Sequence, residues 1–266
     1  MTQRYPMETG TGKVTVETEG HRADVIITRP EKRNAMDQDV IAGLRTAFEK
    51  LGEDDDVRAI TLLGEGDVFC AGMDLEMMHG ATQSDGAVGV GLHEMFNTIE
   101  EIHKPVVVGI KRAAVAGGFE LTLPTDFRII GEEAKYGAIE VNLGLFPSGG
   151  STQRLPRLVG LAAAKEIVLM GEYIDPEEAH RMGLVNEVCA DDDVDERARE
   201  MADELTTKAP LGVERAIEAL NHAGDVPLED GLRIEQYLSK DLYDTHDAQE
   251  GFAARIEGRE PEFEGR

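Results

Sequence analysis

The feature that most constrains this 266-residue chain is a repeated change of hydrophobic period. Short runs dominated by apolar residues (57–63, 106–110, 127–130) alternate with longer stretches whose apolar residues recur every three or four positions. Continuous runs suit strands covered on both faces, and the longer period suits helices with one buried face. Met36, Val40, Ile41, Leu44, Phe48 and Leu51 predict a helix over 36–51 with Asn34 as its cap. Leu92, Met95, Phe96, Ile99 and Ile102 predict another, stopping before Pro105. Two β-rich runs, 14–17 and 25–28, flank Glu19-Gly20-His21 and predict an opening hairpin.

Beyond about residue 160 helices take over, at 162–170, 176–182, 196–208, 211–222, 228–243 and 248–256. A strand-like run at 184–188 interrupts them, and Asp175-Pro176 supplies a cap followed by a first-turn proline. The expectation is an α/β architecture with parallel strands. Residues 1–12 read as a flexible lead-in, 13–196 as the core and 197–266 as a helical C-terminal region.

Charge excludes some partners. The chain has 53 Asp and Glu against 27 Lys and Arg, a formal charge of −26. Nucleic acids and anionic membranes need clustered cations, so neither is expected, nor is a non-catalytic RNA-binding role. Acidity spread along the whole chain fits a high-salt cytosol, where counterions screen the repulsion, better than an ordinary acidic surface. Cys70 and Cys189 form no framework, and 1–12 has neither the basic nor the apolar part of a signal peptide. A cytoplasmic protein is expected. The apolar stretches 105–110 and 113–119 are too short to span a bilayer.

Several familiar motifs fail. Gly10-Thr11-Gly12-Lys13 ends like a phosphate-binding loop, but Val14 stands where Ser or Thr is needed. Gly89-Val90-Gly91 lacks a third glycine, with Glu94 in its place. The histidines are scattered without an i,i+4 pair, and no GxSxG elbow occurs, so neither a metal site nor a serine hydrolase is expected.

Three segments carry more than structure. Val68-Phe69-Cys70-Ala71-Gly72-Met73-Asp74-Leu75 breaks a strand at a glycine. Ala113-Ala114-Val115-Ala116-Gly117-Gly118-Phe119-Glu120-Leu121 opens a helix on small residues, with a carboxylate in its first turn. Residues 136–153 hold Glu140, Gly144-Leu145-Phe146-Pro147 and Ser148-Gly149-Gly150-Ser151. Paired glycines at a helix start expose free N–H groups to a ligand, and two convergent N–H donors make an oxyanion hole.

Together these segments resemble the crotonase (enoyl-CoA hydratase/isomerase) superfamily, from about residue 14 to the end. The likeness includes Ile27-Thr28-Arg29-Pro30-Glu31-Lys32-Arg33-Asn34-Ala35, Gly149-Gly150-Ser151-Thr152-Gln153-Arg154-Leu155 and Ala179-His180-Arg181-Met182-Gly183-Leu184-Val185. The tail Glu250-Gly251-Phe252 and Arg259-Glu260-Pro261-Glu262-Phe263 extends it. The resemblance implies a spiral core of ββα units with a helical C-terminal region, and an acyl-CoA thioester substrate. Coenzyme A belongs to that substrate, so no separate cofactor is implied. A homotrimer or a dimer of trimers is.

In such a protein the thioester oxygen lies between the backbone N–H groups of Met73 and Gly117. Glu120 and Glu140 match two glutamates that hold one water and add it across the double bond of a 2-trans-enoyl-CoA, giving 3-hydroxyacyl-CoA. Which is acid and which is base stays open. Arg29, Lys32, Arg33, Ala35, Ala71 and Asp74 fall at the coenzyme A site, and Phe263 covers the nucleotide, from this or a neighbouring subunit. The glycine-rich stretch 80–91 falls at a variable acyl-pocket loop. The alternative is a Δ3,Δ2-enoyl-CoA isomerase or another crotonase-type acyl-CoA lyase or hydrolase. Departures from the common pattern are Ile139 in place of proline, Ala116 in place of the first of three glycines, and Pro124-Thr125 in the following helix.

Overall fold

The hairpin forms where expected. In the computed structural model, which describes residues 9–82 and 91–266, β1 (Val14–Glu19) and β2 (Arg22–Ile27) pair antiparallel from Val14↔Ile27 to Glu19↔Arg22. Then come α1 (Gln38–Gly52), β3 (Ala59–Gly64), α2 (Leu75–Thr82), α3 (Leu92–Glu100) and β4 (Val106–Ile110). After them lie β5 (Ala113–Val115), α4 (Gly117–Thr122), β6 (Phe127–Gly131), β7 (Lys135–Gly137), α5 (Ser151–Met170), α6 (Pro176–Arg181) and β8 (Glu187–Cys189). The chain closes with α7 (Val194–Thr206), α8 (Pro210–His222), α9 (Leu228–Ser239) and α10 (His246–Glu257).

The main sheet has the order β1-β2-β3-β4-β6-β8 and is parallel beyond the hairpin. Its apolar runs are continuous because both faces are covered. Ile60 and Leu62 of β3 and Val106, Val108 and Ile110 of β4 join the larger core with α1. Ala59, Leu63, Val107 and Ile129 turn to the other face, against Ala198 and Ala202 of α7. The helical region drawn from residue 197 therefore begins inside a helix that packs on the sheet.

Other expectations shift. Asp37, not Asn34, caps α1, accepting from the N–H groups of Asp39 and Val40. Asn34 is fully buried and left-handed (φ 56°); it takes Arg29 N–H on Oδ1 and donates from Nδ2 to Glu65 O and Val68 O. It ties the loop after β2 to the turn after β3. The helix expected over 162–170 is the second half of α5, whose backbone kinks at Gly160 (φ 79°, ψ 160°). The stretch 228–243 divides into α9 and a 3-10 turn, Leu242–Asp244. Residues 80–82 end α2, so of the stretch read as loose, 83–90 lie outside the described residues. Of the lead-in, 1–8 lie outside them too, while Thr9 is buried and donates to Val14 O.

A second, small sheet joins β5 and β7 in parallel. Isolated parallel bridges extend it, Cys70 to Ala114 and Met36 to Met73. This ladder brings four distant segments side by side, those that follow β2, β3, β4 and β6. That is where parallel α/β sheets place their ligands. No helix among the described residues is long and apolar enough to cross a membrane.

Candidate active site

The first pair of groups is set by backbone geometry. In the parallel bridge, Met36 N–H donates to Gly72 O and Met36 O accepts Asp74 N–H. Those bonds occupy the neighbours of Met73, so its own N–H points away from Met36. Gly72 makes the turn at φ 95°, and a Cβ there would stand 3.5 Å from Gly117 N. Gly117 is the first residue of α4, so its N–H has no acceptor within the helix. At Gly118 a Cβ would overlap Cys70 O, so only glycine allows the two segments to approach this closely. Met73 and Gly117 thus meet across one contact, Met73 Cγ lying 3.0 Å from the Cβ position of Gly117.

Ala116, just ahead of α4, holds φ 50° and ψ −123°, a conformation suited to glycine. Its N–H is tied to Gly137 O of β7 at 3.0 Å, so the ladder fixes the strained residue from outside.

The second pair is carboxylates. Glu120, on the first turn of α4, is buried. Its Oε1 accepts Gly149 N–H at 2.8 Å and Ser151 N–H at 3.2 Å, at the start of α5. Burial pushes its pKa above the ordinary range, opposed by the N–H groups of Ser151 and Gly149 and the charge of His93. Glu140 opens the 3-10 turn Glu140–Leu143 after β7. It too is buried, and among the described residues neither of its oxygens has a hydrogen-bond partner. Burial pushes its pKa up to about 7; its own backbone N–H opposes the shift and the charge of Glu120 adds to it. The pair is close enough to couple, and the two carboxylates differ in kind. One is braced by N–H donors and the other is bare.

The expected coenzyme A residues separate into two sets. Arg29 is turned inward, with Nη1 donating to Ala35 O at 2.8 Å and Nη2 pairing with Asp74 Oδ2 at 2.8 Å. Asp37 also lies 3.4 Å from Arg29 Nη1. Asp74 is buried and caps α2 through Glu76 N–H and Met77 N–H. Met77 N–H first, and then Arg29, hold it below the usual carboxylate range. Arg29, Ala35 and Asp74 are thus one internal joint, and Ala71 is bound to it by its N–H on Arg33 O at 3.0 Å. Lys32 and Arg33 are exposed on the same loop, with Lys32 Nζ 3.4 Å from Glu76.

Phe263 is not brought to them within one chain. Its ring lies beside Gly251 of α10, and its carbonyl accepts Arg58 Nη2 at 2.9 Å, just ahead of β3. Arg58 precedes the start of that six-residue strand, and the loop carrying Lys32 lies beyond the other end of the sheet, about 20 Å away.

Sequence reasoning missed Asn34 as the tie between loops, and it missed Asp191, the first of three consecutive aspartates. Asp191 is buried and accepts Arg112 N–H at 2.6 Å and Glu133 N–H at 3.0 Å, fixing the turn before β5.

The fold that brings these groups together is shared with a family of acyl-thioester enzymes. The model of the family described as enoyl-CoA hydratase/isomerase matches residues 17–266, and the chain belongs to that family. It is 36% identical over 245 residues to a probable mitochondrial enoyl-CoA hydratase 2 of Arabidopsis thaliana, covering 91% of this chain and 81% of that protein. It is 32% identical over 251 residues to the short-chain-enoyl-CoA hydratase of Clostridium acetobutylicum, covering 94% and 96%. The solved structure of an enoyl-CoA hydratase from Bacillus anthracis superposes with a TM-score of 0.91 at 32% identity, covering 96% of this chain and all of that one. The crotonase fold expected from sequence is the fold observed.

Proposed function

We propose that this protein is an enoyl-CoA hydratase, a hydro-lyase that adds water reversibly to the 2,3 double bond of a 2-trans-enoyl-CoA. The observation that carries this reading is the buried pair Glu120 and Glu140, unequal in environment and coupled in charge. Isomerisation needs one carboxylate to move one proton. Hydration needs a base for water and an acid for carbon, and unequal carboxylates divide those roles.

The thioester oxygen accepts from Met73 N–H and Gly117 N–H, which hold the enolate charge as it develops; losing one such donor costs roughly 10²–10³ in rate. Glu120 is the base. The two N–H donors at the start of α5 favour its charged form. It takes a proton from water as the water oxygen bonds to C3, and the π electrons move onto the thioester oxygen. Glu140 is the acid, protonated in good part at neutral pH, and gives its proton to C2 as the enolate collapses. Delivery to one face makes the addition syn. Solvent exchange then returns one proton to Glu140 and removes one from Glu120.

Lys32 and Arg33 are the cations proposed to meet the coenzyme A phosphates, with Arg29, Ala35, Ala71 and Asp74 shaping the loop that presents them. Phe263 lies too far from its own loop and is assigned to a neighbouring subunit's nucleotide, in a homotrimer or a dimer of trimers. A cytoplasmic, high-salt setting for fatty-acid β-oxidation fits the unpaired cysteines and the charge of −26.

The test is product analysis with crotonyl-CoA and with a 3-enoyl-CoA. Loss of the conjugated thioester absorbance with formation of 3-hydroxybutyryl-CoA is expected. An unchanged crotonyl-CoA spectrum alongside conversion of the 3-enoyl substrate would reject hydration.

A further inference from the structure

Arg154 stands in the first turn of α5, where the helix dipole disfavours a cation. Specific partners hold it there. Nε and Nη2 donate to the two oxygens of Glu100, at the end of α3, at 3.0 and 2.6 Å. Nη2 also reaches Asn97 Oδ1 at 2.8 Å, and Nη1 reaches Gly149 O at 3.3 Å. The side chain is only 14% exposed.

Gly149 is thereby held from both sides. Its carbonyl faces Arg154, and its N–H is one of the two donors to Glu120 Oε1, the other being Ser151 N–H. The held carbonyl lies between those donors in the chain, so its orientation sets theirs. The paired glycines make this possible. A Cβ on Gly150, at φ 123°, would overlap the Arg154 guanidinium. A Cβ on Gly149 would stand 2.5 Å from the Phe96 ring and 2.7 Å from Glu120 Oε2.

We infer that Arg154, clamped by Glu100, is a positioning residue for Glu120, acting through Gly149 to aim both N–H donors at one carboxylate oxygen. This rests on Glu120 being the base of the hydration. Small displacements of a reacting group are costly in rate, so the clamp sets turnover without touching substrate. Losing its aim weakens the donors that favour charged Glu120. The low-pH limb of kcat/KM then moves upward, with Glu140 and His93 as the other charges acting on Glu120.

The experiment compares Arg154→Gln, Glu100→Gln and the double variant on crotonyl-CoA, with Glu120→Gln as reference. For Arg154→Gln the expected result is kcat lowered about 10–100-fold, KM within about threefold and the low-pH limb shifted up. Glu100→Gln should move the same way by less, and the double variant should be no worse than Arg154→Gln within about twofold. A fall in kcat with an unmoved pH limb, a change confined to KM, or no change at all overturns the inference. Should Arg154→Gln fail to fold, Glu100→Gln decides by the same criteria. Turnover retained by Glu120→Gln would instead overturn the base assignment, whatever Arg154 does.

Discussion

Glu140 is ionised only against its surroundings: it is buried, and neither oxygen has a hydrogen-bond partner among the described residues. Its folded value of about 7 lies above the ordinary 4.5, so the folded state holds a proton that the unfolded chain releases. Stability is thus undiminished below about pH 4.5 and falls as pH rises towards 7, the penalty being complete above that. Glu140→Gln should therefore raise stability at pH 8 by about 1–3 kcal/mol and change it little at pH 4.5, read by urea denaturation. Equal effects at both pH values would contradict the assignment. The cations of the first loop differ from one another in the same way. Lys32→Ala with Arg33→Ala should raise KM for the thioester several-fold with kcat nearly unchanged, because both are exposed charges. Arg29→Ala should instead lower the unfolding midpoint, because it leaves buried Asp74 without its cation and Ala35 O without its donor. A KM effect with unchanged stability would reverse that distinction.

The elements that build the site are short. β5 and β7 have three residues each and α4 has six, too few for a hydrophobic period to register. For that reason the long helices α1 and α3 and the unbroken apolar run of β4 were legible in the sequence, while the ladder aligning the site segments was not. The candidate site was legible through motif order: Gly117-Gly118 and Glu120 mark a helix start, and Glu140 follows further along the chain. Partnerships across the chain, such as Arg29 with Asp74 or Asp191 with Arg112, leave no local pattern. Arg154 is no exception: the sequence reading starts its helix only at 162, and the first turn that carries Arg154 is seen in the structure. Ala116 is the strained joint of this layer, and Ala116→Gly should stabilise the fold by about 1 kcal/mol while keeping turnover within a few-fold. The comparison of thermal midpoints checks this, and a lowered midpoint would mean that the left-handed geometry carries no strain.

At the scale of the whole molecule, 53 carboxylates face 27 cations, and the few buried pairs do not offset the field. Arg22 with Asp24 lies between the hairpin and α7, with Arg199 on the second Asp24 oxygen, and such shielded contacts are weakly screened by salt. The exposed remainder is strongly screened. The thermal midpoint should therefore climb between about 0.1 M and multi-molar KCl, and an unchanged midpoint would remove the case for a high-salt setting. Against that acidic background Glu120 and Glu140 are buried and coupled in charge, and they are the two carboxylates proposed to carry the reaction. The most direct test of their roles is the rate of crotonyl-CoA hydration by Glu120→Gln and Glu140→Gln, with thioester binding measured on the same samples. Each variant should lose about 10²–10⁴-fold or more in kcat while binding the thioester as the parent does. Turnover within tenfold of the parent in either variant would contradict the two-carboxylate mechanism.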